Sequence, residues 1–259
     1  MRIALVGFGK MGHMLKETAL SRGHDVVLTT DPVALDADFK SDDCAKVAEK
    51  CRDLNVQGII EFTHPSVVVS NISALVPTGI PLVVGTTGWD SSLDKVKAMV
   101  KEWGSSFLYS SNFSIGVNIF YKIVEKAAAL MNSFDFYDAS SWEIHHNQKH
   151  DSPSGTALEI AKRVVAGLDR KNNIVFGNFE GKPLPEDFQI SSVRLGTVPG
   201  THTVAFDSQA DTIELTHRAR SRAGFALGAV TALEWLTEKN TDGSEKKGVF
   251  TTDDIFKDF

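Results

Sequence analysis

The first residues constrain this chain more than any others. Ile3-Ala4-Leu5-Val6-Gly7 is a continuous apolar run, and Gly7-Phe8-Gly9-Lys10-Met11-Gly12 follows without a break. An unbroken apolar run suits a parallel strand buried on both faces. Met11, Met14, Leu15 and Leu20 then supply a helical face that ends near Gly23, a C-terminal cap. Asp25–Thr30 reads as a second strand with Asp31 at its end. Strand, G-x-G-x-x-G turn, helix, strand and acidic residue together make a dinucleotide-binding fingerprint, which the glycines alone would not. Gly7 allows the tight turn, Gly9 lets the backbone approach a pyrophosphate, and Gly12 lets helix and strand pack closely. Phe8, Lys10 and Met11 complete the loop. The helix N-terminus offers N–H groups and partial positive charge to phosphates. Asp31 is placed to accept hydrogen bonds from ribose hydroxyls. Pro32, Val33 and Ala34 follow it with no adjacent basic residue, which favours NADH over NADPH.

Strand and helix patterns keep alternating as far as residue 112. Gly58–Phe62, Pro81–Gly85 and Phe107–Tyr109 read as further strands. A short helix is expected around 43–52. Another is expected with Pro65 at its first position, and a third after a Ser91/Asp94 capping box. Gly85, Thr86 and Thr87 follow the fourth strand, and Ser110, Ser111, Asn112 and Phe113 follow the fifth. Ligands of open parallel sheets bind at the carboxyl ends of the strands, so both segments can line a nicotinamide pocket. Beyond residue 112 the pattern changes. Helices are expected at 115–131, 154–167 and 222–238, with extended segments at 135–146, 188–197, 201–207 and 211–218. The expected fold is therefore α/β. A Rossmann-type parallel-sheet domain spans 1–112, and a second α+β domain with a mixed open sheet spans 113–221.

Composition excludes more than it assigns. The net charge is −6, which gives no global field for nucleic acid or anionic lipid. No apolar run approaches the roughly 20 residues of a membrane span, and no signal-peptide pattern opens the chain. Cys44 and Cys51 are the two cysteines, too few for a disulfide framework. A soluble cytoplasmic chain is expected, and an anionic ligand would need a local cationic site.

Such a site is visible in one segment. Glu143-Ile144-His145-His146-Asn147-Gln148-Lys149-His150-Asp151-Ser152-Pro153-Ser154-Gly155-Thr156-Ala157 concentrates proton carriers and positive charge. His145 and His146 can exchange protons near neutrality, and Lys149 is a compact cation. Ser154-Gly155-Thr156 opens a helix, whose N–H groups with the Thr156 hydroxyl form a small anion site. No metal is expected from His145, His146 and His150, because adjacent residues on a strand point to opposite faces.

His-His-x-x-Lys-x-Asp-x-Pro-Ser-Gly-Thr-Ala resembles the signature of the 4-hydroxy-tetrahydrodipicolinate (dihydrodipicolinate) reductases of lysine and diaminopimelate biosynthesis. The resemblance extends through the glycine loop, Glu61-Phe62-Thr63-His64-Pro65 (with Glu for the usual Asp), Gly85–Gly88, Ser110–Ser114, Ser221-Arg222 and Phe225-Ala226. Ser152 stands where the family usually has Ala. The resemblance implies an NAD(P)H-dependent oxidoreductase acting on a small cyclic dicarboxylate. His145 would be the acid/base residue and Lys149 the proton donor, with His146, Gly155 and Thr156 on the carboxylates. It also implies a homotetramer and a tail, 222–259, that returns to the first domain. Two alternatives remain open: another NAD-dependent dehydrogenase on the same plan, or a non-catalytic NAD(H) sensor. The residues do not assign Arg222.

Overall fold

The computed structural model describes residues 1–257. The first stretch of chain runs β1 (Arg2–Val6), α1 (Lys10–Ser21), β2 (Asp25–Thr30), α2 (Cys44–Asp53), β3 (Gly58–Glu61), α3 (Val68–Leu75), β4 (Leu82–Val84), α4 (Leu93–Trp103) and β5 (Ser106–Tyr109). The middle stretch runs α5 (Ile115–Met131), β6 (Asp138–His145), α6 (Gly155–Ala166), β7 (Asn173–Phe176), β8 (Asp187–Arg194), β9 (Thr201–Asp207) and β10 (Thr212–Arg218). The tail adds α7 (Ala223–Thr237), β11 (Gly248–Thr251) and α8 (Thr252–Ile255). Two compact units result. One comprises Met1–Ile115 and the chain from Ala223 onward, and the other is Gly116–Arg222.

The first unit is a six-stranded parallel sheet in the order β11-β5-β4-β3-β1-β2. Every pair in it is parallel, so both faces need helical cover. One face packs Ala4, Ile59, Leu82 and Phe107 against Val47 of α2, Ile72 of α3, and Val96 and Val100 of α4. The other packs Ile3, Leu5, Ile60, Val83 and Leu108 against Leu15 and Ala19 of α1 and Val230 and Leu233 of α7. Alternate residues of one strand thus serve opposite cores, which is why β1 reads as continuously apolar. Fully burying a Leu, Ile or Val contributes about 1.5–3 kcal/mol. β2 lies on one side of β1 and β3 on the other, so the strand order reverses at β1. The crevice beyond the carboxyl end of such a reversal is where open α/β sheets bind ligands.

The second unit is a five-stranded sheet in the order β10-β9-β6-β8-β7. It is mixed: β6 pairs in parallel with β8 and antiparallel with β9. Val117, Phe120 and Val124 of α5 and Ile160, Ala161 and Val164 of α6 pack with Ala139, Phe188, Ile190, Val204 and Phe206. Along β6 the buried residues are Ala139, Ser141, Glu143 and His145, and the partly exposed ones are Ser140, Trp142 and Ile144. The period of two therefore carries Glu143 and His145 onto the helix-covered face, with Ala139.

Two local expectations are corrected. The helix after β3 starts at Val68: the Val67 and Val68 N–H groups bond the His64 carbonyl in one turn that holds Pro65, and the helical ladder runs on only from the Val67 carbonyl, which accepts the Asn71 N–H. The Ser91/Asp94 capping box does not form. Asp90–Ser92 is a tight 3₁₀ turn that runs directly into α4, and the Ser92 side chain caps nothing. Three elements are additional to those expected: β7, β11 and α8.

Candidate active site

In the first unit the glycine loop joins β1 to α1. Gly7 has φ +95°, and a Cβ on it would lie 2.0 Å from the Phe62 carbonyl oxygen. A Cβ on Gly12 would lie 2.5 Å from the Gly7 carbonyl oxygen. Those two glycines are demanded by the fold. Gly9 is different: a Cβ there meets nothing within 4 Å. Gly9 is also the N-cap of α1, and no side chain caps it. The fold does not need a glycine at Gly9, but a ligand approaching the end of α1 does.

Asp31 holds this loop in shape. Its Oδ2 accepts the Phe8 N–H at 2.9 Å, and its Oδ1 accepts the N–H groups of Val33 and Ala34, each at 2.9 Å. Burial works against the charged form, but the three backbone donors prevail and hold the carboxyl below its usual range. A cleft of about 400 Å³ runs past Gly7, Gly9 and Asp31 to Ser41, Cys44 and His64. A second, of about 320 Å³, is lined by Gly9, Lys10, Met11, Gly12, Gly85, Thr86 and Thr87 with Phe62 and Thr63. The Thr63 N–H donates to Thr86 Oγ1 at 2.7 Å and so joins the ends of β3 and β4. These residues fit a dinucleotide along the carboxyl ends of the strands.

Not every expected cofactor residue lines these clefts. The Phe8 and Phe113 side chains are buried in the core shared with α7, and Gly228 lets that helix approach the Phe113 carbonyl. Ser110, Ser111 and Asn112 form a turn past β5. Ser110 Oγ donates to the Asn112 carbonyl at 2.9 Å, and Asn112 Oδ1 accepts the Ser114 N–H at 2.9 Å.

In the second unit the site is built by strand register. Glu143 pairs with Ser192 on one side and with His202 on the other. His145, two residues along β6, pairs with Arg194. Glu143 has no exposed surface, yet Oε1 is well served. It accepts the Ser154 N–H at 3.0 Å and the Ser192 hydroxyl at 2.9 Å, with Arg194 Nη1 at 3.4 Å. Burial favours the neutral acid, but His145, Ser154 and Ser192 reverse that, and the carboxyl lies far below its usual range. Glu143 is a buried carboxylate.

His145 ends β6 and is 8% exposed. Its Nδ1 lies 3.2 Å from the Pro199 carbonyl, which can only accept, so Nδ1 carries hydrogen there. The other ring nitrogen, Nε2, is buried and faces Glu143 Oε2 at 3.4 Å. Gly200 lies against the same ring, where a Cβ would sit 2.8 Å from Cε1. His202 is buried, and burial pushes its imidazole down to about 4 although Glu143 acts in the other direction. His146 is partly buried and His150 exposed. Lys149 Nζ pairs with Asp151 at 2.8 Å. Ser154 caps α6 through the Ala157 N–H at 3.1 Å, so Gly155 and Thr156 form its first turn. Gly155 faces open space.

The fold thus gathers His145, His146, Lys149, Gly155 and Thr156 at one end of β6 and α6, beside Glu143, Arg194 and His202. Sequence reading assigned no role to those last three. Arg194 and His202 come from strands far along the chain, and only the register reveals them. Glu143 was visible as a strand residue two before His145, the spacing that puts both on one face.

A dinucleotide fold carrying a buried imidazole, a lysine and a helix N-terminus in its second unit defines an oxidoreductase that uses a nicotinamide cofactor, NADH or NADPH. Residues 1–113 match the family model "Dihydrodipicolinate reductase, N-terminus", and residues 116–256 match "Dihydrodipicolinate reductase, C-terminus". The chain belongs to the dihydrodipicolinate reductase family. It is 38% identical to the 4-hydroxy-tetrahydrodipicolinate reductase of Christiangramia forsetii over 258 residues, covering 100% of this chain and 98% of that one. The same-named protein of Archaeoglobus fulgidus is 35% identical over 268 residues, covering 99% and 100%. Among solved structures, the dipicolinate-bound dihydrodipicolinate reductase of Paenisporosarcina sp. TG-14 has the same fold. Its TM-score is 0.77 at 21% identity, and the match covers 98% of this chain and 99% of that one.

Proposed function

We propose that this chain reduces 4-hydroxy-tetrahydrodipicolinate to tetrahydrodipicolinate in the route to diaminopimelate and lysine. The observation that carries the reading is His145. It is a buried histidine with Nδ1 fixed by Pro199 and Nε2 turned to a buried carboxylate, beside Lys149 and the first turn of α6. When bound, the nicotinamide supplies the hydride. The substrate, after losing water, is a conjugated cyclic imine with two carboxylates. Adding a hydride to one ring carbon leaves negative charge that the neighbouring carbon must discharge by taking a proton. The His145 imidazole and Lys149 Nζ are the groups suited to deliver it, and general-acid delivery is worth about 10²–10⁴-fold. His146, Gly155 and Thr156 hold the carboxylates, and holding the ring in register contributes further by orientation. The acidic chain thereby meets a dianion with local positive charge.

NADH is the favoured cofactor in this reading. Asp31 keeps its charge, and Pro32, Val33 and Ala34 beside it give a 2′-phosphate no cationic partner. The working form is a cytoplasmic homo-oligomer, a tetramer, assembled through the partly exposed face of the second sheet, where Trp142 and Ile144 lie. Among the described residues no helix is long and apolar enough to cross a membrane. The decisive experiment is a reductase assay with enzymatically generated substrate, run with NADH and NADPH side by side. Substrate-dependent oxidation with NADH the better donor is expected. Cofactor binding without oxidation would replace the reading with a sensor, and a strong NADPH preference would remove the role given to Asp31.

A further inference from the structure

Three buried side-chain atoms converge in the second unit and none has a hydrogen-bond partner: Glu143 Oε2, His145 Nε2 and His202 Nδ1. Glu143 Oε2 lies 3.4 Å from His145 Nε2 and 3.8 Å from His202 Nδ1. All three lie within 4.8 Å of one another, and all three residues are more than nine-tenths buried. A buried polar atom without a partner is costly, and three clustered within 4.8 Å call for something between them. Tetrahedral zinc, with bonds of about 2.0–2.2 Å to nitrogen and oxygen, sets its ligands about 3.3 Å apart. The two separations from Glu143 Oε2 lie close to that value.

The surroundings are those of a metal site. His145 Nδ1–H is committed to the Pro199 carbonyl, which leaves the Nε2 lone pair for a cation. Glu143 Oε1 is held by the Ser154 N–H and the Ser192 hydroxyl, which fixes the aim of Oε2. Two imidazoles and one carboxylate suit zinc and its neighbours rather than calcium or magnesium, which take oxygen ligands. Three protein ligands also leave a fourth position open.

We propose that Glu143, His145 and His202 form a binding site for a zinc-class divalent cation, and that filling it arrests the reductase by occupying His145 Nε2. The binding half stands on the geometry alone. The arrest half rests on His145 being the proton donor.

The test uses the full chain, free of any histidine tag and freed of metal with a chelator. Zinc sulfate is titrated by calorimetry and against a chromogenic chelator, for the wild type and for His202→Gln. One equivalent should bind the wild type, and binding should weaken at least about 100-fold in the variant, since losing even an indirect partner of a metal costs 10–100-fold. No stoichiometric zinc, or binding within a few-fold in the variant, overturns the site. Should His202→Gln misfold by circular dichroism, zinc-edge absorption of the wild type decides. Two imidazoles and an oxygen at about 2.0–2.2 Å support the site, whereas sulfur ligation overturns it. Turnover is then measured with substrate prepared beforehand and its source enzyme removed. Saturating zinc should lower it by about 10²-fold, the scale of a lost general acid, and chelator should restore it. Zinc bound at this site with turnover intact would overturn the proton-donor role of His145 and leave the metal site standing.

Discussion

Arg194 Nη2 donates to the Asp151 carbonyl at 2.5 Å, and Nε of the same guanidinium donates to the Lys149 carbonyl at 3.4 Å. The loop bearing the candidate proton donor Lys149 is thus tied to β8 by one planar group, which also lies beside Glu143 Oε1. A lysine has no rigid fork with which to reproduce this. Arg194→Lys should therefore lower kcat/KM by about 10–100-fold, the scale of a small misplacement of a catalytic group. The measurement is steady-state kinetics with urea midpoints in parallel. A kcat/KM within threefold of the wild type would show that the loop holds itself.

The proposed roles of the site residues should separate on substitution. His145→Gln should lower turnover by about 10²–10⁴-fold. Lys149→Ala should damage turnover and substrate affinity together, while Thr156→Val should mainly raise KM, because it removes a hydroxyl and keeps the volume. Near-normal turnover in His145→Gln, or a change confined to cofactor affinity in Lys149→Ala, would count against these assignments.

The three loop glycines should separate on substitution. Gly9→Ala meets nothing within 4 Å, so its thermal midpoint should stay near the wild type. Its NADH affinity should fall about 10–100-fold, since a methyl group forced into a close contact costs about 1–3 kcal/mol. Gly12→Ala drives its Cβ to 2.5 Å from the Gly7 carbonyl oxygen and should lower stability instead. Fluorescence titration with NADH and thermal melts of both variants check this. Unchanged NADH affinity in Gly9→Ala would mean the end of α1 does not meet the cofactor.

Glu61 and Glu143 are both fully buried and titrate in opposite directions. Burial pushes the Glu61 carboxyl up, and hydrogen bonds from Thr63 and Asn71 do not restore it. A carboxyl raised in the folded state contributes stability that is complete below its unfolded value and lost as pH climbs through its folded value. Glu61→Gln removes that titration. The urea midpoint of the variant relative to the wild type should therefore rise between pH 5 and pH 8. A constant difference across that range would mean that Glu61 is already charged in the folded protein.

Cys51 has no exposed surface, and burial pushes its thiol up to about 12. Iodoacetamide at pH 7.5 should leave it unmodified in the native protein and alkylate it only in denaturant, as read by peptide mass mapping. Labelling without denaturant would contradict the packing of α2.

The parallel-sheet half was legible because its signals are local. The apolar run at Ile3–Val6, the glycines and Asp31 lie within about thirty residues, and each dictates its own backbone. Asn173–Phe176 and Gly248–Thr251 escaped because, unlike the equally short but buried β3 to β5, they are partly exposed edge strands whose strand character comes from the neighbour each pairs with. The same limit governed the site. His145, Lys149 and the start of α6 are close in sequence. His202 faces Glu143 only because β9 runs antiparallel to β6 in one particular register, which no local pattern encodes.

β11 is a short strand, but it sets an order of events during synthesis. It pairs with β5 at the edge of the parallel sheet across more than a hundred residues of intervening chain. Everything that builds the second unit leaves the ribosome before β11 does, and domains generally fold as units as they emerge. The unit that begins first is therefore finished last. A chain halted before residue 248 would leave β5 as an unpaired edge, the kind of surface that recruits another strand.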